Sequence, residues 1–99
     1  MARMPPQEAF AERVQAVLAA RHGIIAERHA NEGVALLLIS TKLVPWFYPT
    51  FVQWQTGREN PRRPGYPAMD SASVRDGPDA IAKRIASRFH QIRTGQGRP

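Results

Sequence analysis

The stretch Leu43-Val44-Pro45-Trp46-Phe47-Tyr48-Pro49-Thr50-Phe51-Val52-Gln53-Trp54 decides how this chain folds. It holds five of the eight aromatic side chains, Trp46, Phe47, Tyr48, Phe51 and Trp54, and with them much of the large-area burial open to the protein. Aromatic and β-branched residues at this density favour extended chain, but Pro45 and Pro49 cannot donate to a ladder. The segment is therefore expected as an edge strand, or as a strand broken at Pro49. Its partner is Val34 to Ile39, six apolar residues between Gly33 and the pair Ser40-Thr41. Alanine and leucine favour helix there, whereas the bracketing turn residues favour a strand, and strand is preferred. The two segments make a two-stranded hairpin with Lys42 at its tip.

Upstream, Pro5 and Pro6 suit a helix start, and Phe10, Val14, Val17 and Leu18 recur on one helical face. Arg21, His22 and Gly23 make a good stop, so a helix is expected over roughly 6–22. Ile24 to Glu32 reads as a second, shorter helix ended by Gly33, joined to the first by a tight corner of the helix-turn-helix kind. Downstream, Gln55 to Pro67 carries three prolines, two glycines and Arg58, Arg62 and Arg63, which describes an exposed, extended connection. Asp70 to Gly77 continues as polar turn with one helical turn near 71–75. Pro78 and Asp79 then open a helix whose Ile81, Ile85, Phe89 and Ile92 form one apolar stripe beside Lys83, Arg84, Arg88 and Arg93.

The resulting fold class is α+β, with two amino-terminal helices, a central two-stranded hairpin of winged-helix type and a carboxyl-terminal amphipathic basic helix. Ninety-nine residues fit one core, taken as a single domain over 1–93 with a flexible tail at 94–99. No apolar run approaches the ~20 residues that a membrane span needs, and no apolar region follows the basic residue at the amino terminus. A cytoplasmic setting without membrane contact is expected. There is no cysteine, hence no disulfide and no thiolate chemistry.

The net charge of +6 is unevenly spread: residues 1–54 carry five bases against four acids, residues 55–99 nine against four. Twelve of the fourteen bases are arginine, which suits bidentate contact with phosphate or carboxylate. DNA or another polyanion is the partner this charge calls for. His22, His29 and His90 have no metal-box spacing, no glycine-rich phosphate loop occurs, and Asp70, Ser71 and Ser73 are ordinary turn residues. No catalytic residue, metal or cofactor is expected, and the protein is taken as a non-enzyme.

The run Gly33-Val34-Ala35-Leu36-Leu37-Leu38, followed by Tyr48-Pro49-Thr50-Phe51 with Gln53, Gly57, Pro64 and Gly65 beyond, resembles a pattern in small bacterial antitoxin-type DNA-binding proteins. The likeness covers roughly residues 10–66 and implies a helix-turn-helix fold and a DNA partner, but no active residue. The expected function is a DNA-binding or antitoxin-like regulator contacting phosphates through Arg58, Arg62, Arg63, Lys83, Arg84 and Arg88. The alternative is a small protein-binding inhibitor or adaptor from a mobile genetic element, with Trp46, Phe47, Tyr48, Phe51 and Trp54 as its interface. A homodimer burying those aromatics against its own copy is the third reading. Two or more of them facing solvent together would call for a partner.

Overall fold

The computed structural model describes residues 4–94. A first helix, α1 (Pro6–His22), is followed by five strands, β1 (Glu27–Asn31), β2 (Val34–Leu38), β3 (Trp46–Phe47), β4 (Phe51–Glu59) and β5 (Pro67–Ser73), then by a 3-10 turn (Val74–Asp76) and a second helix, α2 (Pro78–Thr94). The strands form one antiparallel sheet in the order β1-β2-β3-β4-β5, each paired with its neighbour in sequence. Both helices pack on one face of this meander and against each other. A helix-sheet-helix arrangement thus replaces the expected pair of amino-terminal helices with a two-stranded winged-helix hairpin.

The two helices form where the sequence places them. Pro6 occupies the first turn of α1, and Gly23 closes it in the left-handed region at φ 65°, where the N–H groups of Gly23 and Ile24 both donate to the Leu18 carbonyl. Ala11, Val14 and Leu18 are fully buried, with Phe10 and Val17 packed at the edge. On α2, Ile81 and Ile85 are buried as the stripe requires, together with the small residues Ala82 and Ala86, and Phe89 and Ile92 cover the margin.

The segment 24–32 is not a helix. Glu27–Asn31 pairs residue for residue with Val34–Leu38 through a two-residue turn, Glu32-Gly33, in which both φ angles are positive, 44° and 83°. Positive φ at both positions is the backbone of a type I′ hairpin, whose twist matches that of the flanking strands. The helical preference of Ala26, Glu27 and Ala30 is overridden by the ladder, a long-range gain that local propensity does not contain. The strand is held to α1 as well. Arg28 reaches Glu12 at 3.4 Å and Glu8 at 4.0 Å, and Gln15 Nε2 donates to the Ala26 carbonyl at 2.8 Å.

The aromatic stretch is interior to the sheet, not its edge. Pro45 sits just ahead of β3, where its carbonyl accepts the Leu37 N–H at 3.1 Å and no N–H is asked of it. Pro49 falls in the turn between β3 and β4, which is closed by the Tyr48 N–H donating to the Phe51 carbonyl at 2.8 Å. The chain breaks at Pro49 as one of the two expectations held, and both prolines are spared the ladder. The supposed connection 55–67 is strand as far as Glu59. A turn over 60–66 follows, and the sequence Pro67–Ser73, expected as loop and turn, returns as β5.

Alternation along the strands separates core from surface. Ala35, Leu37, Phe47, Val52, Trp54 and Ala72 face the helices and are buried. The register confirms the row, since Ala35 opposes Phe47, Phe47 opposes Val52 and Val52 opposes Ala72.

Candidate functional site

Among the described residues, the same alternation leaves the opposite side of the sheet without a covering element. Leu36 opposes Trp46, Trp46 opposes Gln53, and Gln53 opposes Ser71, so these four share the outer face. Leu38, Phe51 and Met69 lie on it at 41%, 38% and 39% exposure. Tyr48 stacks on Phe51 with ring centroids 4.6 Å apart and planes at 14°. Gln53 reaches the Tyr48 hydroxyl at 3.5 Å, and the Gln55 side chain accepts the Val44 N–H at 3.0 Å. Among the described residues this face is uncharged from Leu36 on β2 to Met69, Ser71 and Ser73 on β5; Glu27 and His29, paired at 2.6 Å, mark its margin on β1, and Glu59, opposite Pro67, ends it along β4.

The five aromatics are therefore divided. Trp46, Tyr48 and Phe51 are at the open face, whereas Phe47 and Trp54 are buried and cannot serve as contact surface. The cause is the period of two: Trp46 and Phe47 are neighbours in sequence and point to opposite sides. Leu36, Leu38 and Met69 join the face without having been singled out. An alternating reading of 34–38 would have found the first two, but Met69 depends on recognising β5.

The six basic candidates are also divided. Arg84 is held in place, its Nη2 donating to Asp70 at 2.8 Å and its Nη1 to the Ser71 carbonyl at 3.2 Å, with the guanidinium 5.1 Å from the Trp54 ring centroid. Arg88 lies half-buried against Gly57, and its Nη1 donates to Gln91 at 3.2 Å. Arg58 stands at the same place from the sheet side. Arg62 and Arg63 are in the ordered turn at the end of the β4–β5 hairpin, Arg63 4.7 Å from the Tyr66 ring centroid. Lys83 is exposed on α2. A cleft of about 990 Å³ between the hairpin and α2 brings Arg58, Arg84 and Arg88 together, with Glu59 and Asp70 also on its wall; Lys83, Arg62 and Arg63 are outside it.

No helix among the described residues is long and apolar enough to cross a membrane. Comparison with protein-family models, with curated proteins and with solved structures returned no match to this chain.

Proposed function

We propose that the chain is a small protein-binding module whose interface is the open sheet face formed by Leu36, Leu38, Trp46, Tyr48, Phe51 and Met69. The observation that carries this is the single-sided burial of the sheet: two helices cover one face, and stacked aromatics with exposed Leu38 and Met69 and half-buried Leu36 occupy the other. A contiguous apolar patch of that kind is uncommon on a monomer's surface and marks an interaction site. Tryptophan and tyrosine are also the side chains that concentrate binding energy.

Charge selects the occupant. The centre of the face is uncharged, but it sits on a chain of net charge +6, so a second copy would bring like charge to like. An acidic protein with an apolar patch of its own gains from the same field, and its encounter is accelerated. The fold is helix, five-stranded sheet and helix in place of the winged helix expected of a DNA-binding regulator, so the reading rests on the sheet face.

The test is a capture experiment followed by reconstitution. A protein retained by the wild-type chain is purified and its binding titrated against wild type, Phe51→Lys and Leu38→Lys. The expected result is an acidic partner whose affinity falls about tenfold or more in both variants. Full affinity in two correctly folded variants would remove the face as the interface. A wild-type dimer in sedimentation that Phe51→Lys converts to monomer would overturn the acidic partner in favour of a second copy.

A further inference from the structure

We propose that the cleft between the irregular part of β4 and the carboxyl-terminal half of α2 binds a phosphate group, through Arg58 and Arg88. The proposal is independent of the sheet face, which lies on the other side of the sheet. Its basis is local backbone irregularity combined with uncompensated charge.

The β4–β5 ladder is regular as far as Gln55 opposite Met69 and resumes at Glu59 opposite Pro67, so β4 spends three residues where β5 spends one. Such bulges bend a strand and re-aim its side chains, and they recur beside functional sites. This one is stabilised from within, the Thr56 hydroxyl donating to the Ala68 carbonyl and accepting the Arg58 N–H, both at 3.2 Å. Gly57 at its centre has φ 87°. A Cβ there would overlap Arg88 Nη2 and lie 2.8 Å from Cζ, so the absent side chain is what lets the guanidinium seat against the strand.

Arg88 is seated but not satisfied. Its Nε is buried and has no acceptor among the described residues, and its single hydrogen bond goes to a neutral amide, Gln91. The carboxylates nearby are engaged elsewhere: Asp70 holds Arg84, and Glu59 accepts the Gly65 N–H at 2.6 Å. Among the described residues no carboxylate lies within 4.0 Å of Arg88 or Arg58. Two guanidinium groups on the cleft wall without a carboxylate partner leave donors that an oxyanion entering the cleft would take up. A phosphate offers several oxygens to forks arriving from two elements, whereas a carboxylate is filled by one. Thr56 and Ser87, also on the cleft wall, add neutral polar groups.

The experiment is calorimetric titration at low salt with three probes: inorganic pyrophosphate, a 5′-phosphorylated single-stranded oligonucleotide and the same oligonucleotide unphosphorylated. Saturable one-to-one binding of pyrophosphate, of the 5′-phosphorylated strand in preference to its unphosphorylated form, or of both is expected. Pyrophosphate binding points to a free phosphate compound; binding confined to the phosphorylated strand points to a nucleic-acid end. Arg58→Ala and Arg88→Lys, the second keeping the charge while removing Nε, should each weaken binding about tenfold. Lys83→Ala, outside the cleft, should leave it unchanged. Arg58 is exposed, so its variant decides the matter even where Arg88→Lys alters the fold. Absence of saturable binding, indifference to the 5′-phosphate with pyrophosphate silent, or an equal loss in Lys83→Ala would overturn the proposal.

Discussion

Truncating two phenylalanines four residues apart should have opposite consequences. Phe47 is fully buried, packed between α1 and the sheet with its ring 6.2 Å from that of Phe10. Phe51 is 38% exposed on the outer face, where its main contact is the stacked ring of Tyr48. Phe47→Ala removes a complete core side chain and leaves a cavity, a change that costs about 3–5 kcal/mol in well-packed interiors. Total stability is on the order of 5–15 kcal/mol, so the variant retains little margin. At about 4–8 °C per kcal/mol for a domain of this size, its Tm should fall by about 12 °C or more. Phe51→Ala gives up half-exposed area and one aromatic pair, about 1 kcal/mol and a few degrees. Urea and thermal unfolding followed by far-UV circular dichroism measures both, and equal urea m-values would show that the denatured states are comparable. The reasoning fails if Phe51→Ala is as damaging as Phe47→Ala, because the assignment of faces would then be wrong.

Three further changes probe the joints of the fold. Gln7 Nε2 donates to the Gly33 carbonyl at 2.7 Å from a nearly buried position, so Gln7→Ala should cost about 1–2 kcal/mol in urea unfolding, concentrated on the β1–β2 hairpin in hydrogen exchange. Glu32 holds φ 44° in the hairpin turn, where asparagine is better suited; Glu32→Asn should stabilise by about 0.5–1 kcal/mol, seen as a Tm rise of a few degrees. Gly57→Ala should lower stability by about 1–2 kcal/mol from its backbone alone and also displace Arg88, so a melt that matches wild type would contradict the seat described for that side chain.

The helices were legible because their signals are local. Proline at the start and an apolar stripe at helical spacing are complete within each segment, with a glycine stop after the first, and α1 and α2 form where those marks stand. The strand Val34–Leu38 was legible for a similar reason, as an apolar run between turn residues. β1 and β5 were not. Glu-Arg-His-Ala-Asn and Pro-Ala-Met-Asp-Ser-Ala-Ser lack the β-branched and aromatic residues by which a strand is recognised, and they are extended because the adjacent strands offer a ladder. The prolines misled for the opposite reason. Pro45 and Pro49 do exclude themselves from a ladder, but one stands before a strand and the other in a turn, so the flanking segments still pair on both sides.

For the candidate sites, residue type was readable and arrangement was not. Composition pointed to arginine and to the aromatic stretch as the chain's interacting material. Which arginines are committed and which are merely seated depended on contacts made across the fold, such as the pairing of Arg84 with Asp70 and the approach of Arg88 to Gly57, between residues 14 and 31 positions apart. The sequence by itself determined two helices, the second of them amphipathic, one apolar strand and an aromatic segment interrupted by prolines, since each follows from interactions within a few residues. Only the tertiary structure decided that five strands close into one sheet and that both helices take the same side of it. It thereby sent Phe47 and Trp54 inward and left Trp46, Tyr48 and Phe51 outward, because a strand shows its side chains alternately to two faces and only packing chooses which face is covered.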